Sequence, residues 1–459
     1  MRKLSVAKFG GSLLDPKGKS IPKVLERVRE LKERGGAGPI VVFSAPGSFT
    51  DELIRIGESF TRSEYASVEH IFDSYEEMAR AYVEGEPLKK LLSDLAFYRN
   101  EAREALSSIN KRFQGNVKAK LLTSGGELPT SLLMEYIMTE NGLESRRVPK
   151  DRWPIVTDDN FENASPLYEE SLKRIGCVVD LLDGGKVVSQ AGFLGVTVDG
   201  LETTLGRGGS DLTAVFLSCL LQSRYEVETL LFKDVPVQSA DPQIVKGQRT
   251  FDVPSLTYNE AHKASMMGMK IVQDAAISMA RRFKQPLKIV PMDDAEKCTV
   301  IRSESFTDEI VKVVTGKKGC AILSMRDERS RSLEDSLRIW ESRSDFLDLG
   351  TETLETEERI RDFLFLDSGF LSKNEDKIKS FDANMKIEYG VGVVTLIGDR
   401  MKDSPGVASI AIGAIPRINI KRGVFAPHTS QIILVVEEKD VEAAVEAIHM
   451  RRSEMNKTR

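Results

Sequence analysis

A chain of 459 residues is long enough for two or three domains of ordinary size. Its 65 Lys and Arg against 70 Asp and Glu leave a formal net charge of −5, which excludes the cationic excess of a non-specific nucleic-acid binder. No apolar run approaches the roughly 20 residues of a membrane-spanning helix, and Lys8 and Gly10–Gly11 interrupt what would be the apolar core of a secretory signal. A soluble, cytoplasmic protein with neither nucleic-acid nor membrane partners is expected.

In chain order, LSVAKF reads as a strand that runs into a glycine turn, and residues 21–34 carry apolar positions at helical spacing up to Gly35–Gly36. A second strand over Ile40–Phe43 ends in a Ser/Pro/Gly turn. Strand, turn, helix, strand is the rhythm of a parallel sheet covered by helices. Residues 50–113 are rich in helix formers and predict two or three inserted helices, broken near Gly85–Pro87. The sheet is expected to resume as a strand at KAKLLTSGGE (118–127), followed by a helix over about 128–140. Further strands are predicted at about 144–148, 186–190, 227–232 and 287–290, with a helix after Gly209.

Beyond residue 305 the character changes. VKVVTGKKGCAILSMRD (311–327) predicts a strand–loop–strand unit, and the charge-dense stretch 326–362 predicts solvated helix faces and loops. The remainder predicts strand, helix, strand, strand, helix. The expected division is a larger domain over 1–304 and a C-terminal region over 305–459, with modules at about 305–385 and 386–459.

Cys177, Cys219, Cys298 and Cys320 are far apart, which speaks against a zinc knuckle or a disulfide framework. The four histidines show no ligand spacing either, so no metal site is expected on the protein itself. A hard cation would be held by phosphates and carboxylates.

Three segments pair glycines with small polar residues ahead of a helix: Lys8–Ser12, Thr123–Glu127 and Thr204–Asp211. Glycine lets a backbone approach a ligand closely, and a helix beginning there offers N–H groups and partial positive charge to an anion. No GxxxxGK[ST] string occurs, and no GxGxxG follows the first strand, so neither a P-loop nor a dinucleotide fold is indicated. One lysine, one arginine and two carboxylates on such turns (Lys8, Arg207, Glu127, Asp211) suit phosphoryl transfer to an anionic acceptor.

These motifs, with FSAPGSFTD at Phe43–Asp51, GFLG at Gly192–Gly195, KDVPVQSADPQIV at Lys233–Val245 and MMGMKIVQDAA at Met266–Ala276, resemble in order the motifs of aspartate kinases. The resemblance implies a three-layer α/β/α amino-acid kinase fold with a mainly parallel open sheet. It implies ATP as donor, Mg2+, and L-aspartate as acceptor. Lys8 and Lys270 would bracket the transferring phosphate, with Asp211 between them. Ser44, Thr50, Glu127, Phe193, Arg207 and Ser210 would line the aspartate pocket, Arg207 on a carboxylate and Glu127 on the ammonium. Gly10, Gly11, Ser12, Gly208 and Gly209 would shape the phosphate channel, and Lys233 and Asp234 would face the nucleotide. The nucleotide loop departs from the family, with Lys233 in place of a threonine and Gln243 in place of an arginine. This opens the nucleotide preference, and Lys233 would partly replace the lost arginine.

The C-terminal region resembles paired ferredoxin-like ACT (βαββαβ) modules. In the better match, the Asp403-Ser404-Pro405-Gly406 turn and Asn419 on the next strand would bind an amino-acid effector, lysine or threonine. ACT modules also imply a homo-oligomer. Two alternatives stay open on sequence: a kinase of this fold acting on another small carboxylate or phosphate, and a non-catalytic amino-acid sensor.

Overall fold

The computed structural model describes residues 1–247, 249–269, 271–339, 346–353, 358–426 and 430–457. Lys270 therefore lies outside the described residues, as does part of the charge-dense stretch. The chain divides into two compact units: residues 1–236 with 272–303, and residues 237–271 with 304–459.

In the first unit seven strands lie in the order Ser145–Arg147, Val187–Ala191, Ala37–Phe43, Arg2–Phe9, Tyr225–Lys233, Leu287–Pro291 and Thr299–Arg302. All neighbours are parallel except the last pair. A parallel strand buried on both faces reads as an unbroken apolar run, and Ala37–Phe43 is buried at every position. Helix Gly209–Leu221 is likewise buried along its whole length, whereas helix Ile21–Glu33 buries only Ile21, Val24, Leu25, Val28 and Leu31. Register matters most for function. Phe9 is opposite Phe43 and Phe232, and Phe43 is opposite Ala191. Four strands thus end within one residue of the same level, and the turns that follow them share one edge of the sheet.

Residues 49–107 form three helices, Phe49–Thr61, Glu69–Tyr82 and Gly85–Ser107. KAKLLTSGGE is not a strand. It belongs to helix Gly115–Gly125, which meets helix Glu127–Glu140 at Gly126. The short apolar run fits either period; packing against helices Phe49–Thr61 and Gly85–Ser107 decides for the helix. The buried Tyr75 hydroxyl pins the junction, 2.7 Å from the Gly126 carbonyl and 2.9 Å from Thr130 Oγ1.

The second unit is built on six antiparallel strands in the order Phe346–Thr353, Arg359–Phe365, Val313–Arg326, Lys386–Ile397, Gln431–Glu437 and Arg422–Ala426. The expected strand–loop–strand at 311–327 is one continuous strand, Val313–Arg326. Its glycine-lysine centre does not turn back: Gly319, at φ +71°, lies in a register shift between Lys317 and Cys320. The charge-dense stretch holds the expected helix, Asp327–Ile339, but also two strands. Their charges sit in ion pairs, such as Arg361 with Asp327 of the helix at 2.8 Å and Asp362 with Arg422 at 2.7 Å. Asn419 is not on a strand either; it lies in the segment leading to Arg422–Ala426. Residues Ala240 and Val245 join one apolar cluster with Val314, Val407, Ile432 and Ile448.

Candidate active site

Side chains at the level strand ends build the site. Lys8, one residue before the end of strand Arg2–Phe9, is buried, and its Nζ is 2.7 Å from Asp211 Oδ1. Asp211 is held there because the Gly206–Gly209 turn starts helix Gly209–Leu221: Gly208 at φ +74° is its N-cap and Asp211 lies in the first turn. A carboxylate in that position complements the positive end of the helix. Burial pushes the Lys8 ammonium's pKa down, Asp211 pulls it back, and Lys233 adds to the lowering. Burial would raise the Asp211 carboxyl, but Lys8 and Lys233 together hold it below its usual range.

Beside this pair lies a cavity of about 520 Å³. It is lined by all six residues expected to hold an acceptor, Ser44, Thr50, Glu127, Phe193, Arg207 and Ser210. Lys8, Gly11, Gly208 and Gly209 line it too. Close backbone approach explains two of these glycines. A Cβ on Gly11 would be 2.7 Å from the Ala45 carbonyl oxygen, and one on Gly209 would be 2.8 Å from Leu205 Cβ. Phe193 takes φ +65°, rare for a residue with a side chain, and its N–H donates to Thr213 Oγ1 at 3.1 Å.

Glu127 opens helix Glu127–Glu140 and is 3% exposed; its Oε1 accepts the Ala45 N–H at 3.2 Å, while Oε2 has no hydrogen-bond partner. Burial pushes its carboxyl up to about 7, against the pull of the Ala45 N–H and Lys8. Arg207 stands at the rim with its side chain 94% exposed, 3.7 Å from Asp51.

Gly10, Ser12, Lys233 and Asp234 are not in this lining. They gather at the same strand ends: Ser12 Oγ donates to Asp234 Oδ2 at 3.3 Å, and Lys233 Nζ is 3.7 Å from Asp211 Oδ2.

Sequence reasoning passed over Asp51, Lys118, Glu162 and Gln273. Lys118 Nζ donates to Glu162 Oε2 at 2.6 Å on the cavity wall. Reading 118–127 as a strand hid Lys118, because its outlook into the cavity comes from the helix. Gln273 donates from Nε2 to the Leu205 carbonyl at 3.0 Å and also bonds Asp211 through its backbone. The cavity wall carries three cations, Lys8, Lys118 and Arg207, against three carboxylates, Asp51, Glu127 and Glu162. Matched charge of both signs suits a zwitterion with an extra carboxylate, held next to the Lys8–Asp211 pair.

Of the residues expected to bind an effector, Ser404 and Gly406 line a cavity of about 180 Å³ in the second unit, with Met401, Val407, Gln431 and Ile432. Asp403, Pro405 and Asn419 are not in that lining.

An open parallel sheet with glycine turns and a lysine–aspartate pair at one edge defines an α/β protein with an anion-binding site at its strand ends. Residues 3–291 match the model of the amino acid kinase family, and residues 394–451 match that of the ACT domain. The chain belongs to the amino acid kinase family. It is 25% identical over 462 residues to the aspartokinase of Bacillus sp. (strain MGA3), covering 97% of this chain and 96% of that protein. It is also 25% identical over 414 residues to the aspartate kinase of Pseudomonas putida, covering 86% and 97%. In fold it is similar to E. coli aspartokinase III in complex with aspartate and ADP (R-state), with TM-score 0.79, 20% identity and coverage of 98% and 99%. The same enzyme in complex with lysine and aspartate (T-state) gives TM-score 0.71 at 19% identity, covering 98% and 99%.

Proposed function

We propose that this protein is an ATP-dependent aspartate kinase that phosphorylates the side-chain carboxylate of L-aspartate to 4-phospho-L-aspartate, the first step toward lysine, threonine and methionine. The observation that carries this reading is the charge-matched cavity pressed against the Lys8–Asp211 pair. Relatives named aspartokinase over nearly the full chain support it.

The acceptor carboxylate is already ionised at neutral pH, so its oxygen attacks the γ-phosphorus without a general base. A new O–P bond forms, the bond to the β–γ bridging oxygen breaks, and ADP leaves with that electron pair. Catalysis reduces to positioning and charge neutralisation. Arg207 holds a substrate carboxylate, Glu127 receives the ammonium, and Lys8 faces the phosphoryl group with Asp211 holding it in place. Lys270 is assigned the second ammonium by motif. Gly10, Gly11, Ser12, Gly208 and Gly209 admit the phosphates, with Lys233 and Asp234 toward the nucleotide. Among the described residues no group of three or more His, Cys, Asp or Glu could hold a metal ion. Mg2+ would enter with ATP, held by the phosphate oxygens of the donor. The ACT match and the small cavity at Ser404 and Gly406 support an amino-acid effector, lysine first, and a homo-oligomer formed through the ACT modules. Among the described residues no helix is long and apolar enough to cross a membrane, and a cytoplasmic location fits a pathway enzyme.

The test is ADP release with aspartate, glutamate and carbamate offered in turn. Aspartate alone gives rapid turnover and a hydroxylamine-trappable acyl phosphate; equal rates with another acceptor, or no turnover, reject the reading. Lys8→Ala lowers kcat by about a hundredfold or more with little change in either KM, since the charge it meets grows in the transition state.

A further inference from the structure

Lys233 is the last residue of strand Tyr225–Lys233, which lies parallel to Arg2–Phe9 with Leu231 opposite Lys8. Side chains two residues apart on a strand share a face, so Lys233 projects from the same face as Lys8, one step nearer the strand end. Asp211 stands between them. Lys8 Nζ is 2.7 Å from one carboxylate oxygen and Lys233 Nζ is 3.7 Å from the other. Side-chain exposure is 8% for Lys8, 4% for Asp211 and 28% for Lys233.

One cation would neutralise Asp211. A second makes the trio net positive in a largely desolvated place, where like charges repel more strongly than in water. A long lysine side chain at the sheet edge could turn to solvent and keep its rotamer freedom. Its place beside a carboxylate that already has a lysine partner leaves the trio with one positive charge in excess, which an arriving anion would match. The neighbouring groups suit that arrival. A Cβ on Gly10 would be 3.4 Å from Lys8 Nζ, so bare backbone faces the ammonium, and Ser12 Oγ is tied to Asp234 on the next turn.

We infer that Lys233 is a positioning residue for the terminal phosphate of the donor: it holds one oxygen of Asp211, keeps the other on Lys8, and brings a second positive charge to the group in transfer. This rests on the phosphoryl-transfer reading above and goes beyond nucleotide binding in general, because it singles out the third phosphate. A cation that served the whole nucleotide would not distinguish a triphosphate from a diphosphate.

The test uses the full-length protein with Lys233→Met and Lys233→Arg. Calorimetry measures the affinity of each for Mg2+ complexes of a non-hydrolysable ATP analogue and of ADP, and turnover with aspartate gives kcat and both KM values. Lys233→Met weakens the triphosphate analogue about tenfold and ADP by less than about twofold, and lowers kcat about a hundredfold with aspartate KM unchanged. Lys233→Arg restores most of the triphosphate preference. Unchanged affinities, or equal losses for both nucleotides, overturn the assignment. Should Lys233→Met not fold, Lys233→Gln serves in its place with the same criteria. If the wild type turns over no aspartate yet the nucleotide contrast holds, the acceptor assignment falls and the role of Lys233 stands; turnover without the contrast has the opposite meaning.

Discussion

At the scale of single residues, Glu127 sets the pH behaviour of the cavity. Its carboxyl ionises near 4.5 when free and at about 7 when buried in the folded protein. Between those values the native state keeps a proton the unfolded chain has lost, so this group's contribution falls as pH rises from about 4.5 to about 7 and is flat beyond. The full difference is about 3 kcal/mol. Glu127→Gln should therefore match the wild type in thermal midpoint at pH 4 and exceed it at pH 8; a lower midpoint at pH 8 would contradict burial as the cause. Substrate binding runs the other way. On the proposed assignment an ammonium meets the ionised form, so aspartate KM should fall as pH rises through about 7, and Glu127→Gln should show a higher KM without that slope. Arg207 offers a contrast. Its side chain is almost entirely in solvent, so Arg207→Ala should change stability by less than about 0.5 kcal/mol. It should raise aspartate KM about tenfold or more while ATP KM stays within about twofold. Equal changes in both constants would remove the arginine from the acceptor site.

At the scale of elements, the turn before helix Gly209–Leu221 carries the most consequence. Gly208 combines φ +74° with a Cβ position 3.0 Å from Gln273 Cβ. An alanine there meets left-handed strain of about 1–2 kcal/mol plus a contact that must give way. Gly208→Ala should lower the urea midpoint and reduce kcat, because Asp211 is in the first turn of the helix that this residue caps. An unchanged midpoint would contradict the strain assigned to this turn. Elements also show where local reading succeeds. Strands Arg2–Phe9, Ala37–Phe43, Val187–Ala191 and Tyr225–Lys233 were legible because apolar runs end abruptly in glycine or small polar residues. Two failures have different causes. KAKLLTSGGE is an apolar run too short to tell strand from helix, whereas the Gly319 of VKVVTGKKGCAILSMRD looks like a turn and sits in a strand irregularity. A glycine permits a turn without requiring one, and packing decides.

At the scale of the whole molecule, the chain's course through the second unit depends on buried charge. Lys312 and Glu260 are paired at 2.7 Å, with side chains 2% and 0% exposed. Glu260 also accepts the N–H groups of Thr257 and Asp399, both at 2.8 Å. The pair ties Val237–Ile271 to the strands that follow residue 304. Lys312→Ala strands a carboxylate in the interior and should lower unfolding free energy by about 3–5 kcal/mol, whereas Lys312→Met with Glu260→Leu should recover most of it. A single-variant loss below about 1 kcal/mol would show that water reaches the pair. The ion pair has no local signature, since its partners are far apart in sequence; only the Thr257–Glu260 capping box that starts helix Tyr258–Met266 is a local motif. What the amino-acid order determined alone was the alternation of strand and helix and the glycine turns with their charged residues, because periodicity and backbone freedom are properties of neighbours. Only tertiary structure decided that Phe9, Phe43, Ala191 and Phe232 end level, that Lys118 and Glu162 join the cavity, and that Lys233 shares Asp211 with Lys8. Those outcomes depend on sheet register and helix packing, which bring together groups far apart along the chain, such as Phe9 and Phe232.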